Sequence, residues 1–293
     1  MKSKAWLALA GTILLFSTFE VVSKTITGIP PMQINFLRFL SAGLLLLPFA
    51  LSEMRGRSIR LSRQDWLRLA ALGILNVTLC LMVFQTSIRY IPASAAAVIF
   101  CTNPVFVHIT EIIRDRRLPG WRALVSLAVS LTGLVLVFLN EFVYGAGAWL
   151  GISLAFFAAI TYGIFIVAAK STGERLGTLT SNALSFLIGA LVSVPILLVF
   201  KVPLFVFDLH FLPHLAYLSI GVTCAAYVLF VYGLRRLPAG AGSLIFFVKP
   251  VLSTALAAGL LHESVSPLFL AATAVILAGI LLYQTGSSKP AES

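Results

Sequence analysis

The sequence predicts an all-α integral membrane protein with ten transmembrane helices, arranged as two inverted five-helix repeats. Three observations carry this expectation. First, 59% of the 293 residues are hydrophobic and only 11% are charged, with a mean hydropathy of +1.02. Soluble domains hold about 25% charged residues, so a soluble globular enzyme, a disordered chain and a nucleic-acid binder are excluded. Second, apolar runs near the roughly 20 residues needed to cross a bilayer follow one another along the whole chain. Third, the chain repeats itself at a shift of 146 residues.

The runs occupy residues 5–23, 32–52, 66–87, 92–112, 121–140, 147–169, 180–200, 213–234, 238–260 and 266–283. Lys2 and Lys4 before the first run suggest a signal peptide. The run is longer than the usual apolar core of about 7–15 residues and lacks a small-residue cleavage site, so it reads as a retained helix. Gly28-Ile29-Pro30-Pro31 separates runs one and two, and the charged stretch Ser52-Glu53-Met54-Arg55-Gly56-Arg57 closes run two. Trp66, Trp121 and Trp149 stand near the starts of runs three, five and six, and Trp6 near that of run one, as interfacial anchors do. Runs four and nine open on Pro92 and Pro238. No connection is long enough to hold a soluble domain, so function is expected within the bundle or at its mouths.

With the N-terminus in the cytoplasm, 16 of the 21 Lys and Arg fall on the inner side. Three (Lys24, Arg89 and Lys201) fall outside, and Arg38 and Lys249 lie within runs. The positive-inside rule therefore puts both termini in the cytoplasm, and it explains most of the +11 net charge as a topology signal. Cys80, Cys101 and Cys224 all fall inside runs and read as small apolar residues rather than a disulfide framework.

The repeat aligns Ile91-Pro92-Ala93-Ser94-Ala95-Ala96-Ala97-Val98-Ile99-Phe100 with Leu237-Pro238-Ala239-Gly240-Ala241-Gly242-Ser243-Leu244-Ile245-Phe246. It also brings Arg89 onto Arg235, Pro104 onto Pro250 and Gly133 onto Gly279. Residues 1–146 thus form one five-helix unit and 147–293 a second. Five is odd, so the second unit must insert upside down, a plan that recurs in secondary transporters. Channels and membrane enzymes also carry duplications.

These residues resemble the EamA-type carriers of the drug/metabolite transporter superfamily. The resemblance rests on a Pro-Ala-small-small-Ala start to each fourth helix, a mid-helix Pro, a Glu at the helix end and a Gly in the fifth helix. The second half matches at Pro238-Ala239, Lys249-Pro250-Val251, His262-Glu263 and Gly279. The first half matches at Pro92-Ala93-Ser94, Asn103-Pro104-Val105 and Gly133, and departs at Arg117, where the pattern has Glu. The resemblance implies the ten-helix inverted fold and a prokaryotic plasma (inner) membrane, and it says little about substrate.

Pro104 and Pro250 would free the carbonyls of Phe100 and Phe246, which suits either a hinge with a binding site or a tolerated kink. Lys249 interrupts an apolar run, and a cation at mid-bilayer costs about 2.5–3.5 kcal/mol on insertion scales. Its repeat mate is Asn103. The expectation is that Lys249 binds an anionic substrate group; the competing reading pairs it with a buried acid. Glu20 and Arg38 have matching depth on adjacent antiparallel helices. They read first as a buried ion pair, and alternatively as a coupling site for a proton or other ion (Glu20) and a substrate clamp (Arg38). Phe16, Tyr162 and Tyr227 are placed near the central cavity, and the position of Phe16 and Tyr162 is often aromatic in the resembling family. Asn76 is a further mid-helix polar group that either faces substrate or bridges helices. His108 and Glu111, spaced i,i+3, and Glu263 are candidate gates; no metal site or cofactor is expected. The function expected is a secondary active transporter of small polar or amphipathic metabolites by alternating access, with anionic or zwitterionic substrates such as amino acids or phosphorylated metabolites among those expected. A flippase of lipid-linked substrates and a membrane-embedded enzyme stand as alternatives.

Overall fold

A computed structural model describes residues 2–116, 121–139, 147–205, 210–234 and 244–287. Every regular element among them is helical. The helices are α1 (Lys2–Ser17), α2 (Phe19–Thr25), α3 (Pro31–Gly56), α4 (Arg63–Gly73), α5 (Met82–Ser87), α6 (Ala93–Phe100) and α7 (Asn103–Asp115). They continue as α8 (Trp121–Leu139), α9 (Ala148–Leu176), α10 (Thr178–Val199), α11 (Leu212–Ala216), α12 (Ala226–Leu234), α13 (Leu244–Leu260) and α14 (Pro267–Ser287). Two π-helical stretches, Ile74–Leu81 and Tyr217–Ala225, join α4 to α5 and α11 to α12.

Seven helical stretches among the described residues are long and apolar enough to cross a membrane: Ser3–Thr25, Pro31–Gly56, Arg63–Ser87, Ala93–Arg114, Ala148–Leu176, Thr178–Val199 and Leu212–Phe230. They coincide with seven of the ten runs read from the sequence. In the other three runs the apolar helical stretches described are shorter: Ala128–Val137, Val248–Leu260 and Pro267–Gly279. A lipid-facing segment must satisfy its backbone internally, which accounts for the helical content.

Local sequence sets the ends. Pro31 opens α3 with its pre-set φ and no N–H to lose. Ser62 and Asp65 close a capping box on α4. Gly177, at φ 82°, is the whole connection between α9 and α10. Only a residue without Cβ adopts that conformation freely, and a Cβ there would also run into the Glu53 carboxylate.

Lipid tails are as apolar as leucine, so close contact rather than hydrophobic expulsion holds such a bundle together. Gly73 and Gly189 supply it: a Cβ on Gly73 would lie 2.7 Å from the Gly189 nitrogen. Gly133 serves α8 and α14 in the same way, its would-be Cβ lying 2.9 Å from the Ala272 carbonyl. The Ala93–Ala97 stretch is wholly buried, as its small residues predict. The matching stretch 239–243 lies outside the described residues.

Two prolines behave differently from one another. Pro250 stays inside α13. Pro104 does not kink a continuous helix: the chain breaks at Cys101-Thr102, and Pro104 sits in the first turn of α7. The Phe100 carbonyl freed there is taken by the Asn103 side chain, whose Nδ2 donates to it at 2.8 Å.

Candidate functional site

Three charged side chains are buried together in the middle of the bundle: Glu20 on α2, Arg38 on α3 and Lys249 on α13. The sequence pointed to Glu20 and Arg38 as partners. The structure corrects that pairing, because the Lys249 ammonium donates to Glu20 Oε1. The Glu20 side chain is fully buried and that of Lys249 is 9% exposed. Ser253 completes the arrangement: its hydroxyl donates to the Ser17 carbonyl at 2.8 Å and reaches Glu20 Oε2 at 3.4 Å. The helix break at Thr18, between α1 and α2, places Glu20 and Ser17 against α13. The pair ties the first half of the chain to the second.

No carboxylate among the described residues forms a contact ion pair with Arg38, and Glu20 acts on it only from a distance. Its guanidinium lies 4.5 Å from the Phe19 ring centre and 4.6 Å from that of Phe39. Its Nε, buried, has no hydrogen-bond acceptor. Ring faces contribute about 2 kcal/mol to a desolvated cation, less than the several kcal/mol that burying an ion costs. Arg38 is therefore an under-compensated positive charge.

Aromatic side chains surround it in two rows. Phe19 stacks on Phe84 at 5.8 Å, Phe84 on Phe100 at 4.2 Å, and Phe100 meets Tyr162 at 4.9 Å. On the other side Phe39 meets Phe186 at 4.9 Å, Phe186 meets Tyr227 at 5.4 Å, and Tyr227 meets Phe16 at 5.5 Å. Arg38 bridges the rows at one end. Tyr162 and Tyr227 lie next to one another between the rows, and both lie near Arg38. Lys249 lies 5.4 Å above the Phe100 ring. Phe16, Tyr162 and Tyr227 are half-buried and packed against the main core of the bundle, at the meeting of the two aromatic rows. Asn76, in the first π stretch beside Tyr227, is buried with neither side-chain atom hydrogen-bonded. π stretches of this kind concentrate at functional sites.

The predicted site residues thus separate into groups. Arg38, Asn76, Phe16, Tyr162, Tyr227 and Phe100 converge. Lys249 belongs to the same chamber, but its charge is met by Glu20. Asn103 serves the Phe100 carbonyl with its nitrogen, while its Oδ1 has no partner. The side chains of Phe246 and His108 lie outside the described residues. Glu111 is half-buried on α7. No group of three or more His, Cys, Asp or Glu able to hold a metal occurs among the described residues.

Sequence reasoning missed Phe19, Phe39, Phe84 and Phe186. The duplication carries a signal for part of this set. A shift of 146 pairs Phe16 with Tyr162, Phe19 with Phe165, Phe84 with Phe230 and Phe100 with Phe246.

Two carboxylates close opposite ends of the bundle. Glu263 accepts from the Ala93 nitrogen at 2.7 Å, the Ser94 nitrogen at 3.1 Å and the Ser94 hydroxyl at 2.7 Å, capping α6 from the far half of the chain. Beside it Lys24 donates to the Ile91 carbonyl, and Arg89 to the Ile26 and Ile29 carbonyls. At the other end Glu53 accepts from the Thr180 nitrogen at 2.8 Å and hydroxyl at 2.9 Å, capping α10. Arg175 pairs there with Asp65 at 3.0 Å.

Comparison with known proteins assigns the molecule to a family. The model of the EamA-like transporter family matches residues 2–139 and 149–285. The chain belongs to the EamA-like transporter family. Relatives of this EamA protein span nearly its whole length. An uncharacterized transporter of Clostridium kluyveri is 28% identical, covering 98% of this chain and 94% of its own. One from Archaeoglobus fulgidus is 27% identical over 90% and 91%. The uncharacterized inner membrane transporter YedA of Escherichia coli is 24% identical over 92% and 87%. A solved crystal structure shares the fold with a TM-score of 0.66 at 21% identity, covering 99% of this chain and all of that one. The EamA protein is an integral membrane protein and a membrane transporter.

Proposed function

We propose that this EamA transporter moves small metabolites by alternating access, as a secondary carrier, through the chamber around Arg38. In this reading the chain crosses the membrane ten times as two inverted five-helix units, with both termini in the cytoplasm. The site takes Arg38 and Asn76 from the first unit and Tyr162 and Tyr227 from the second, so rocking of one unit against the other exposes it to each side in turn. The observation that carries the reading is the buried guanidinium of Arg38, which lacks an acidic partner and has an unpartnered Nε. A charge left so placed at the meeting of two halves is an expensive arrangement for stability alone. It is what an anionic group entering the chamber would complete.

Lys249 takes a different role from the one its position suggests. Paired with Glu20, it fixes the chamber wall and orients the site rather than offering a free cation. The Glu263 cap on α6 closes the outer mouth, and the Glu53 cap on α10 with the Asp65–Arg175 pair closes the inner one. Each must open in turn for substrate to pass, and each is a small set of hydrogen bonds that can re-form.

A thermal-shift screen of the purified protein against metabolites grouped by charge tests the proposal, run beside Arg38→Gln. Stabilisation by anions in the wild type that disappears in Arg38→Gln is the expected result. Stabilisation by any ligand that is equal in both proteins places the site elsewhere and overturns the proposal.

A further inference from the structure

The chamber's charges do not sum to zero. Glu20 and Lys249 cancel as an ion pair, and Arg38 adds one positive charge that no carboxylate among the described residues meets. On the reading of this site given above, we infer that the bound substrate is a small organic monoanion with a planar apolar body, its charged group seated on Arg38.

The count of charges decides the class. A cation would raise the chamber to two net positive charges in a low-dielectric interior. A dianion would overshoot to one net negative charge. A zwitterion would bring an ammonium group for which no carboxylate is free, because Glu20 is held by Lys249 and Ser253. A monoanion alone brings the chamber to neutrality, the state a desolvated site favours.

The geometry points the same way. Phe19 and Phe39 lie against the guanidinium and can offer it only ring contacts. The unpartnered Nε leaves an N–H edge of the guanidinium free, and that edge matches the two oxygens of a carboxylate. Asn76, next to Tyr227, adds a buried amide whose donor and acceptor have no hydrogen-bond partner. Rings dominate the surroundings: Phe19 and Phe39 lie on the guanidinium, and the half-buried Phe16, Tyr162 and Tyr227 continue the two rows, a lining that favours a flat apolar body over a compact polar one.

Equilibrium dialysis of the purified full chain against benzoate tests the inference. Benzamide, benzylamine, phenylalanine, phthalate and acetate serve as neutral, cationic, zwitterionic, dianionic and ring-free comparators. Benzoate is expected to bind saturably, about tenfold or more tighter than every comparator, and Arg38→Gln to weaken it by about tenfold or more. Absence of saturable benzoate binding overturns the inference. If benzylamine, phenylalanine or phthalate binds as tightly as benzoate and depends on Arg38, the monoanion inference fails while the Arg38 site stands. Acetate binding as tightly as benzoate removes the planar body. Binding of every probe unchanged by Arg38→Gln overturns the site as well. Should Arg38→Gln not fold, the comparator series on the wild-type protein decides the class alone.

Discussion

Glu20→Gln removes one charge of a buried pair and leaves the other where it is. The size of the effect follows from the partners. Lys249 would keep its position between α2 and Phe100 with its counter-charge gone. It could escape the cost of burial by giving up its proton. From an ordinary lysine value near 10.4, that costs about 5 kcal/mol at pH 7, which caps the damage. Breaking buried pairs from one side typically costs about 3–5 kcal/mol, within that cap. Lys249→Met strands Glu20 instead, and neutralising an ordinary glutamate at pH 7 costs about 4 kcal/mol. The double variant Glu20→Gln with Lys249→Met carries no stranded charge. Its loss is limited to packing and the lost Ser253 contact, about 2 kcal/mol. The two single losses therefore sum to well over the double loss, and the coupling energy is about 3 kcal/mol or more. Equilibrium unfolding in mixed micelles, followed by circular dichroism, measures all four proteins. A double variant whose loss equals the sum of the singles would refute the pairing.

Three further substitutions probe the frame around the chamber. Glu263→Ala strips the cap from α6, a loss of about 0.5–2 kcal/mol, and amide hydrogen exchange over residues 93–97 is expected to quicken by about twofold to thirtyfold; unchanged exchange would mean the cap holds nothing. Asn103→Ala leaves the Phe100 carbonyl buried without its donor and should cost about 1–3 kcal/mol in the same unfolding assay, whereas a neutral outcome would show that the break at Cys101-Thr102 needs no such closure. Gly189→Leu places a side chain against the Gly73 carbonyl and Val77, and is expected to abolish recovery of monodisperse protein on size-exclusion chromatography. Normal recovery would show that α10 and the helix carrying Gly73 can separate without loss.

Hydropathy places a residue along a membrane normal but not around a helix. That is why Glu20, Arg38 and Lys249 stood out in the sequence while their pairing did not. Glu20 has matching depth with Arg38, on the next helix, and with Lys249, 229 positions away. Which one it meets depends on the rotation set by the break at Thr18, and Thr18 carries no strong breaker. Seven of the ten apolar runs appear as helices of spanning length, because length and composition alone define them. The π stretches at Ile74–Leu81 and Tyr217–Ala225 had no local mark: neither contains proline, and both are mostly apolar like ordinary spanning helices. Pro104 was visible as a breaker, but which of its two readings applies was not. The carbonyl it frees is covered by Asn103, one residue before it. The aromatic rows were legible in part, through ring positions that recur at the 146-residue shift. Arg38 and Glu20 have no charged mates under that shift, where Leu184 and Ile166 stand. The asymmetry of charge within a symmetric aromatic frame is the feature that sets this chamber apart from the scaffold around it.

The most direct test of the account asks whether the chamber opens to both sides. Asn76→Cys, in a background with Cys80, Cys101 and Cys224 replaced by alanine, puts one reactive thiol beside Arg38's site. A membrane-impermeant methanethiosulfonate reagent is then applied to right-side-out and to inverted vesicles. The account predicts modification from each side, and slower modification from both when benzoate occupies the Arg38 site. A thiol that reacts from one side only, or from neither, would contradict alternating access to a site at Arg38.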